Sequence, residues 1–341
     1  MASERATSKH HPSHSHVGSN NIKHVVLGDL LFQTWFQSFY PQDLVAREIE
    51  RLYICRWCFR YTGDVSAYVK HMRVCGKREK ASPPGAKVYE HAGYSVWEVD
   101  GEEDKLFAQN LCLFAKLFVD HKTVFFDVAS FLFYLLVFSD PVDPDWRILG
   151  FFSKEKMSWD ANNLACILIF PPYQHKSLGR LLISVSYRLG GDSASIGGPE
   201  RPLSEMGWKS YSRFWKERLL RYLLLGSGEQ SRDTPPPHRR KPKGSKKRPA
   251  SETMTVQDMS LAVGMLTEDV ITTLKDMGVT AQDRPPGKRR KTARHDGGSE
   301  VTDDEQMVQI RKSALLEWSK AHSVSLQDPV RQEGFGGMNP A

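Results

Sequence analysis

Four side chains constrain this chain's fold more than any other feature: Cys55, Cys58, His71 and Cys75, in the spacing Cys-x2-Cys-x12-His-x3-Cys. Two cysteines separated by two residues form a tight knuckle, and a His and a Cys four positions apart share one helical face. Together they present four tetrahedral donors to Zn²⁺. The spacing predicts a short helix over Ser66–Arg73, carrying Lys70 and Arg73. Two roles stay open for such a finger, a structural or docking staple and a reader of DNA; the first is preferred, since a lone finger covers only about three base pairs. Five cysteines is an odd count, and Met1–Asn20 has no apolar stretch of the secretory kind. The expectation is a reducing compartment, with thiols serving metal or catalysis and not disulfides.

The rest of the chain is ample for two or three folded units: 341 residues, 40% hydrophobic and 11% aromatic. Its formal charge of +7 is unevenly placed. Residues Arg232–Arg248 and Arg284–His295 hold fourteen of the 47 basic residues and one of the 40 acids, leaving 33 bases against 39 acids elsewhere. The protein therefore reads as a mildly acidic body with two basic ribbons. The longest uninterrupted apolar run, Phe131–Phe138, has eight residues, too few for the roughly 20 of a membrane span.

Residues 1–22, with His10, His11, His14 and His16, read as a disordered polar tail. Strand-like runs follow at Thr123–Val128, Phe131–Phe138, Ile148–Ser153 and Leu164–Phe170. Helical periodicity places Leu106, Leu113, Phe114 and Leu117 on one face of Lys105–Phe118, and recurs from Leu178 to Leu189 and over Tyr211–Leu224. This interleaving favours an α/β or α+β core. Within Thr255–Gly278 two amphipathic segments flank Gly264, the second expected to be capped by Thr267, which predicts a helix–turn–helix. A last helix is expected near Val308–Ala321.

The strand Leu164–Phe170 runs into Gln174-His175-Lys176-Ser177-Leu178-Gly179-Arg180 and an amphipathic helix. A loop that opens a helix directs backbone N–H groups outward and, with the helix dipole, binds phosphate. Lys176 and Arg180 add positive charge. Spacing alone also permits an ordinary strand-to-helix turn.

Longer strings bear on that choice: Tyr53-Ile54-Cys55-x2-Cys58; Gln109–Leu113 through Ala115–Phe118 and Asp120–Thr123; Gly150–Lys156; and Gly198-Pro199-Glu200-Arg201-Pro202-Leu203-Ser204. Over about His24–Leu225, and again in the C-terminal helices, the chain resembles the MYST family of histone acetyltransferases. The run Leu164–Leu168 followed by Phe170–Gln174 is most similar to the fungal branch called Something About Silencing.

The resemblance implies a mixed-sheet acetyltransferase core, preceded by a C2HC zinc finger and followed by a winged-helix-like segment. It also implies acetyl-CoA as cosubstrate beside Zn²⁺. Carried over residue by residue, Leu168 and Ile169 lie along the pantetheine, and Gln174, His175, Lys176, Ser177, Leu178, Gly179 and Arg180 cradle the pyrophosphate. Ser204 sits near the cofactor, Glu200 is the catalytic glutamate, Cys166 the active-site cysteine, and Lys122 the lysine acetylated within the enzyme itself. Cys166 has two readings, a covalent acyl carrier and a pocket-lining thiol. Ser177 departs from the family's Gln/Arg-x-x-Gly-x-Gly loop, where a side chain costs roughly 1 kcal/mol if φ must be positive.

The expected organisation is a tail over 1–22, a finger subdomain over 23–85, an acetyl-CoA-binding core over 86–226 and a basic linker over 227–252. A helix–turn–helix follows over 253–283, then a second basic linker over 284–303 and a C-terminal helix and tail over 304–341. The expected function is acetylation of a histone-tail lysine, H4 first, in the nucleus. Accessory chromatin subunits and salt-sensitive DNA contact through the ribbons are the expected partnerships. The alternatives are a catalytically weak acetyltransferase-fold scaffold and a DNA-binding subunit of a chromatin complex.

Overall fold

The computed structural model describes residues 20–78, 80, 82–140, 145–189, 196–226, 251–280 and 307–336. The His-rich tail and both basic ribbons lie outside these residues, and so do the expectations attached to them.

The finger comes first. Strands β1 (Ile22–Leu27), β2 (Leu30–Gln33), β3 (Ile49–Ile54) and β4 (Tyr61–Thr62) form a sheet in the order β2-β1-β3-β4, with β1 and β3 parallel. Helix α1 (Val65–Val74) starts at Asp64, whose carboxylate accepts the N–H groups of Ser66 and Ala67. That pairing satisfies two of the donors every helix start leaves open.

The central layer is a five-stranded antiparallel sheet. It is built from β5 (Ala86–His91), β6 (Tyr94–Asp100), β7 (Phe131–Ser139), β8 (Trp146–Glu155) and β10 (Cys166–Ile169), in the order β10-β8-β7-β6-β5. Alternate residues of β7 point to opposite faces. Phe133, Leu135 and Val137 join Phe107, Leu111 and Phe114 of α2 (Lys105–Lys116). Tyr134 and Leu136 join Leu178, Leu182 and Val185 of α3 (Leu178–Arg188). Burial on both faces explains why β7 reads as an unbroken apolar run. A short parallel pair, β9 (Asn162–Leu164) with β11 (Gly198–Pro199), lies beside this layer.

The third layer packs α4 (Glu205–Leu225) against α5 (Val256–Val263), α6 (Thr267–Met277) and α7 (Lys312–Ala321) around Trp215, Leu219, Val263, Leu274 and Leu315. Strands β12 (Ser251–Thr255) and β13 (Met307–Arg311) pair antiparallel beside them, which adds a wing to the expected helix–turn–helix. Beyond α7, Asp328 pairs with Arg188 at 3.1 Å, and the Arg331 N–H donates to the Tyr89 hydroxyl at 3.3 Å. A 3₁₀ turn over Gln332–Phe335 then packs Phe335 tilted against Tyr89 of β5, the edge strand, with ring centroids 4.8 Å apart.

The fold is thus α+β, with an antiparallel central sheet, and none of its described helices is long and apolar enough to cross a membrane. Four sequence expectations need correction. Thr123–Val128 is not a strand but an irregular segment over α2, its Phe126 carbonyl accepting from the Gln109 side chain at 2.8 Å. Val128 is buried, Val124 and Phe125 pack against the core from a loop and Phe126 is exposed, a placement that strand propensity does not distinguish from a pleated one. Leu106 is exposed, because it belongs to the first turn of α2, while Leu113, Phe114 and Leu117 are buried. Thr267 is the first residue of α6 and not its cap; Leu266 holds that position without a side-chain bond. Residues Val308–Arg311, expected in the last helix, belong to β13.

Candidate functional site

The four predicted metal donors come together, all within 4.8 Å of one another. Cys55 Sγ lies 3.7 Å from Cys75 Sγ, and Cys58 Sγ lies 3.3 Å from His71 Nε2. Ligands at zinc bond lengths in a tetrahedron stand about 3.5–3.8 Å apart, so the residues present fit Zn²⁺. The neighbouring Cys55 thiol, with the His71 ring, holds Cys58 below the usual thiol range, towards the thiolate a metal requires. The β3–β4 knuckle supplies Cys55 and Cys58, while α1 and its C-cap supply His71 and Cys75. Lys70 and Arg73 stay exposed on α1.

A second group assembles where β10 begins. Cys166 pairs with Ser153 of β8, and the Ala165 N–H donates to the Ser153 carbonyl at 2.8 Å. From the other side the Glu200 N–H donates to the Leu164 carbonyl at 2.8 Å, and Gly198 pairs with Asn162. Glu200 is therefore anchored through its backbone two residues from Cys166, with its side chain at the surface. Partial desolvation raises the Glu200 carboxyl above its usual range; Glu155, at the end of β8, raises it further, and Lys122 opposes both. Burial also raises the Cys166 thiol, again against Lys122 and with Glu200. Cys112 of α2 is buried and raised by desolvation, with the Lys122 charge opposing that rise and Cys166 adding to it. Glu200, Cys166, Cys112 and Lys122 thus form one electrostatic neighbourhood. Lys122 lies on an irregular segment and not at the start of a strand. Sequence reading missed Glu155 as a neighbour of Glu200, because nothing local in β8 reports a partner 45 positions away.

The third group is the loop that opens α3. Leu168 is buried and Ile169 half-buried at the end of β10, and Gln174 folds the loop back by donating from Nε2 to the Ile169 carbonyl at 2.8 Å. His175 and Ser177 both have positive φ, 62° and 60°. The Ser177 side chain makes no capping bond, so the amides of Leu178, Gly179 and Arg180 stay directed out of the helix. A Cβ built on Gly179 would meet nothing nearer than Ile169 Cγ1 at 3.9 Å, so the helix mouth keeps room that the protein leaves unfilled. The amides, the dipole and this space suit a phosphate-bearing ligand. Lys176 is exposed, whereas Arg180 reaches Glu217 at 3.0 Å, and Arg213 shares that carboxylate at 2.9 Å. Ser204 caps α4 by accepting the Gly207 N–H at 3.0 Å.

The left-handed backbone at Ser177 makes one substitution informative. Ser177→Gly should relieve about 1 kcal/mol of strain. Thermal unfolding would then show a Tm higher by about 2–4 °C.

Compared with known proteins, residues 82–315 match the MOZ/SAS family and residues 19–75 match the MYST family zinc finger domain. The chain is 37% identical over 257 residues to the histone acetyltransferase Tip60 homolog of Caenorhabditis elegans, covering 75% of this chain and 50% of that protein. It is 34% identical over 311 residues to histone acetyltransferase esa-1 of Neurospora crassa, covering 91% and 53%. Against histone acetyltransferase of the MYST family 1 of Arabidopsis thaliana the identity is 42% over 211 residues, covering 62% and 46%. The chain spans about half the length of these relatives.

Proposed function

The chain belongs to the MOZ/SAS family, and from that premise we propose that it is an acetyl-CoA-dependent histone lysine acetyltransferase acting on the H4 tail, with Glu200 as general base. The observation that best supports this reading is a carboxylate of raised proton affinity beside a half-buried cysteine, on a strand leading into an open helix N-terminus.

The chemistry runs through these parts in order. A substrate lysine is an ammonium at neutral pH, with a pKa near 10.4, and must lose a proton before it attacks. Glu200 accepts that proton, more readily because its carboxylate is partly desolvated and faces Glu155. Acetyl-CoA, when bound, supplies the thioester carbonyl that the freed amine attacks, with loss of the coenzyme thiol. Gln174–Arg180 hold the pyrophosphate by backbone amides, Leu168 and Ile169 line the pantetheine arm, and Ser204 stands near the cofactor. Cys166 lines the pocket, its thiol raised by burial, and direct attack of the freed amine on the thioester is the route. Acetylation of Lys122 would remove a positive charge that opposes proton uptake at Glu200. Zn²⁺ is a structural staple.

The protein acts in the nucleus, on chromatin and with accessory subunits. Its basic ribbons serve nuclear import, through Arg239–Arg248 and Lys288–Lys291, and contact phosphates of nucleosomal DNA without sequence preference. A second reading, a catalytically weak scaffold, is favoured by one observation, the strained serine at position 177. Transfer of label from acetyl-CoA to an H4-tail peptide separates the two.

The pH dependence gives a finer check. Glu200 is a base only above its own pKa, so kcat/KM should fall as pH drops, on an acid limb above the usual carboxylate range. Glu155→Gln removes a charge that raises Glu200. The limb should then move to lower pH in a stopped-time peptide assay; an unmoved limb would show that Glu155 does not act on the base.

A further inference from the structure

The loop between β8 and β9, residues 156–161, has both stems fixed beside Glu200. Its first stem ends in Glu155, whose charge acts on Glu200. Its second begins at Asn162, paired with Gly198 two residues before Glu200. Whatever the loop presents therefore borders the site where an acceptor lysine must arrive.

What it presents is unusual for a soluble surface. Trp159 is 99% exposed and Met157 is 82% exposed. A large aromatic held entirely in water forgoes about the most apolar burial any side chain can gain, and its π face is free for a cation. Asp160 follows it, also exposed. The loop's one cation, Lys156, is engaged with Asp100 at 2.7 Å and Glu102 at 3.5 Å. Glu155 and Asp160 thus put negative charge at the two ends of the loop, Glu200 adds a third carboxylate beside its stems against the opposing charge of Lys122, and the indole stands in water between them.

We infer that Trp159, together with the Asp160 carboxylate, is a seat for basic residues that flank the acceptor lysine in a peptide substrate. The indole takes a lysine or arginine by cation–π contact and apolar cover of its stem, and Asp160 pairs with the same charge. This assignment rests on the acetyltransferase reading above for its choice of occupant. It makes the loop a positioning element that acts on substrate affinity and leaves proton transfer to Glu200.

The test uses the full chain, a fluorescein-labelled H4-tail peptide, and the same peptide with every basic residue except the acceptor lysine replaced by glutamine. Trp159→Ala should raise Kd by anisotropy and peptide KM by about two- to fivefold. Saturating kcat and the KM for acetyl-CoA should not change, and Trp159→Phe should recover most of the loss. With the neutralised peptide the wild-type chain should bind as weakly as Trp159→Ala, and the substitution should have no further effect. Equal affinity of wild type and Trp159→Ala for the basic peptide would overturn the inference, as would no binding by the wild-type chain or an equal loss for both peptides. If the peptide binds in a Trp159-dependent way but no acetyl is transferred, the seat stands and the enzymatic reading fails.

Discussion

Glu200→Gln is expected to lower kcat for acetyl transfer to an H4-tail peptide by about 10²–10⁴-fold, the usual contribution of a positioned general base. The glutamine is nearly isosteric, and Glu200 is held by its backbone N–H on Leu164. Circular dichroism and Tm should therefore match the wild type. The loop proposed to hold the cofactor lies on a different segment, Gln174–Arg180, so the KM for acetyl-CoA should be retained. The acid limb of the pH profile should vanish along with the rate, since the group that titrates there is gone. A variant as active as the wild type would remove Glu200 from the mechanism, and a wild-type chain without transfer would remove the mechanism itself.

Loss of a zinc ligand should act on the whole fold. Structural zinc contributes on the order of 10 kcal/mol to isolated fingers, comparable with the roughly 5–15 kcal/mol by which an entire domain is stable. Here the finger shares its core with the central sheet layer: Phe59 of the knuckle packs on Phe107, Phe114 and Phe170 with ring centroids 5.6, 5.4 and 5.9 Å away. Cys75→Ala or His71→Ala should accordingly abolish stoichiometric zinc in elemental analysis and leave little soluble protein. Chelation of the wild-type chain by phenanthroline should lower Tm by more than 10 °C, by the usual relation of stability to Tm. A metal-free variant with an unchanged melting curve would show that the finger is not a staple.

The zinc tetrad was legible because its ligands are close in sequence and their chemistry is rare. Strands β7 and β8 were legible for a different reason: burial on two faces makes a long apolar run. What escaped notice depended on partners far along the chain. The wing needs β12 to meet β13 across 51 intervening residues, so Val308–Arg311 read as the start of a helix. The strands of the finger are short and half-buried, and β1 finds β3 in a parallel register that no local turn announces. Arg180 read as a free cation for phosphate, yet Glu217 on α4, 37 positions away, engages it. The position of Ser177 was legible from its departure from a glycine pattern, and its φ of 60° is the conformation that pattern implied. Trp159 carried no signal at all, since exposure belongs to the folded molecule.

The turn that lays Phe335 on Tyr89 also bears on how the molecule comes into being. Strand β5 is a free edge of the central sheet until residues near 331–335 arrive, a separation of 242 positions at the Arg331–Tyr89 bond. A ribosome making about 5–20 residues per second leaves that edge open for on the order of 10–50 s. Over that interval an unpaired strand can template pairing with another chain. The nascent protein's need for a chaperone should therefore end when the Gln332–Phe335 turn emerges, well after Glu200 and Cys166 have been made.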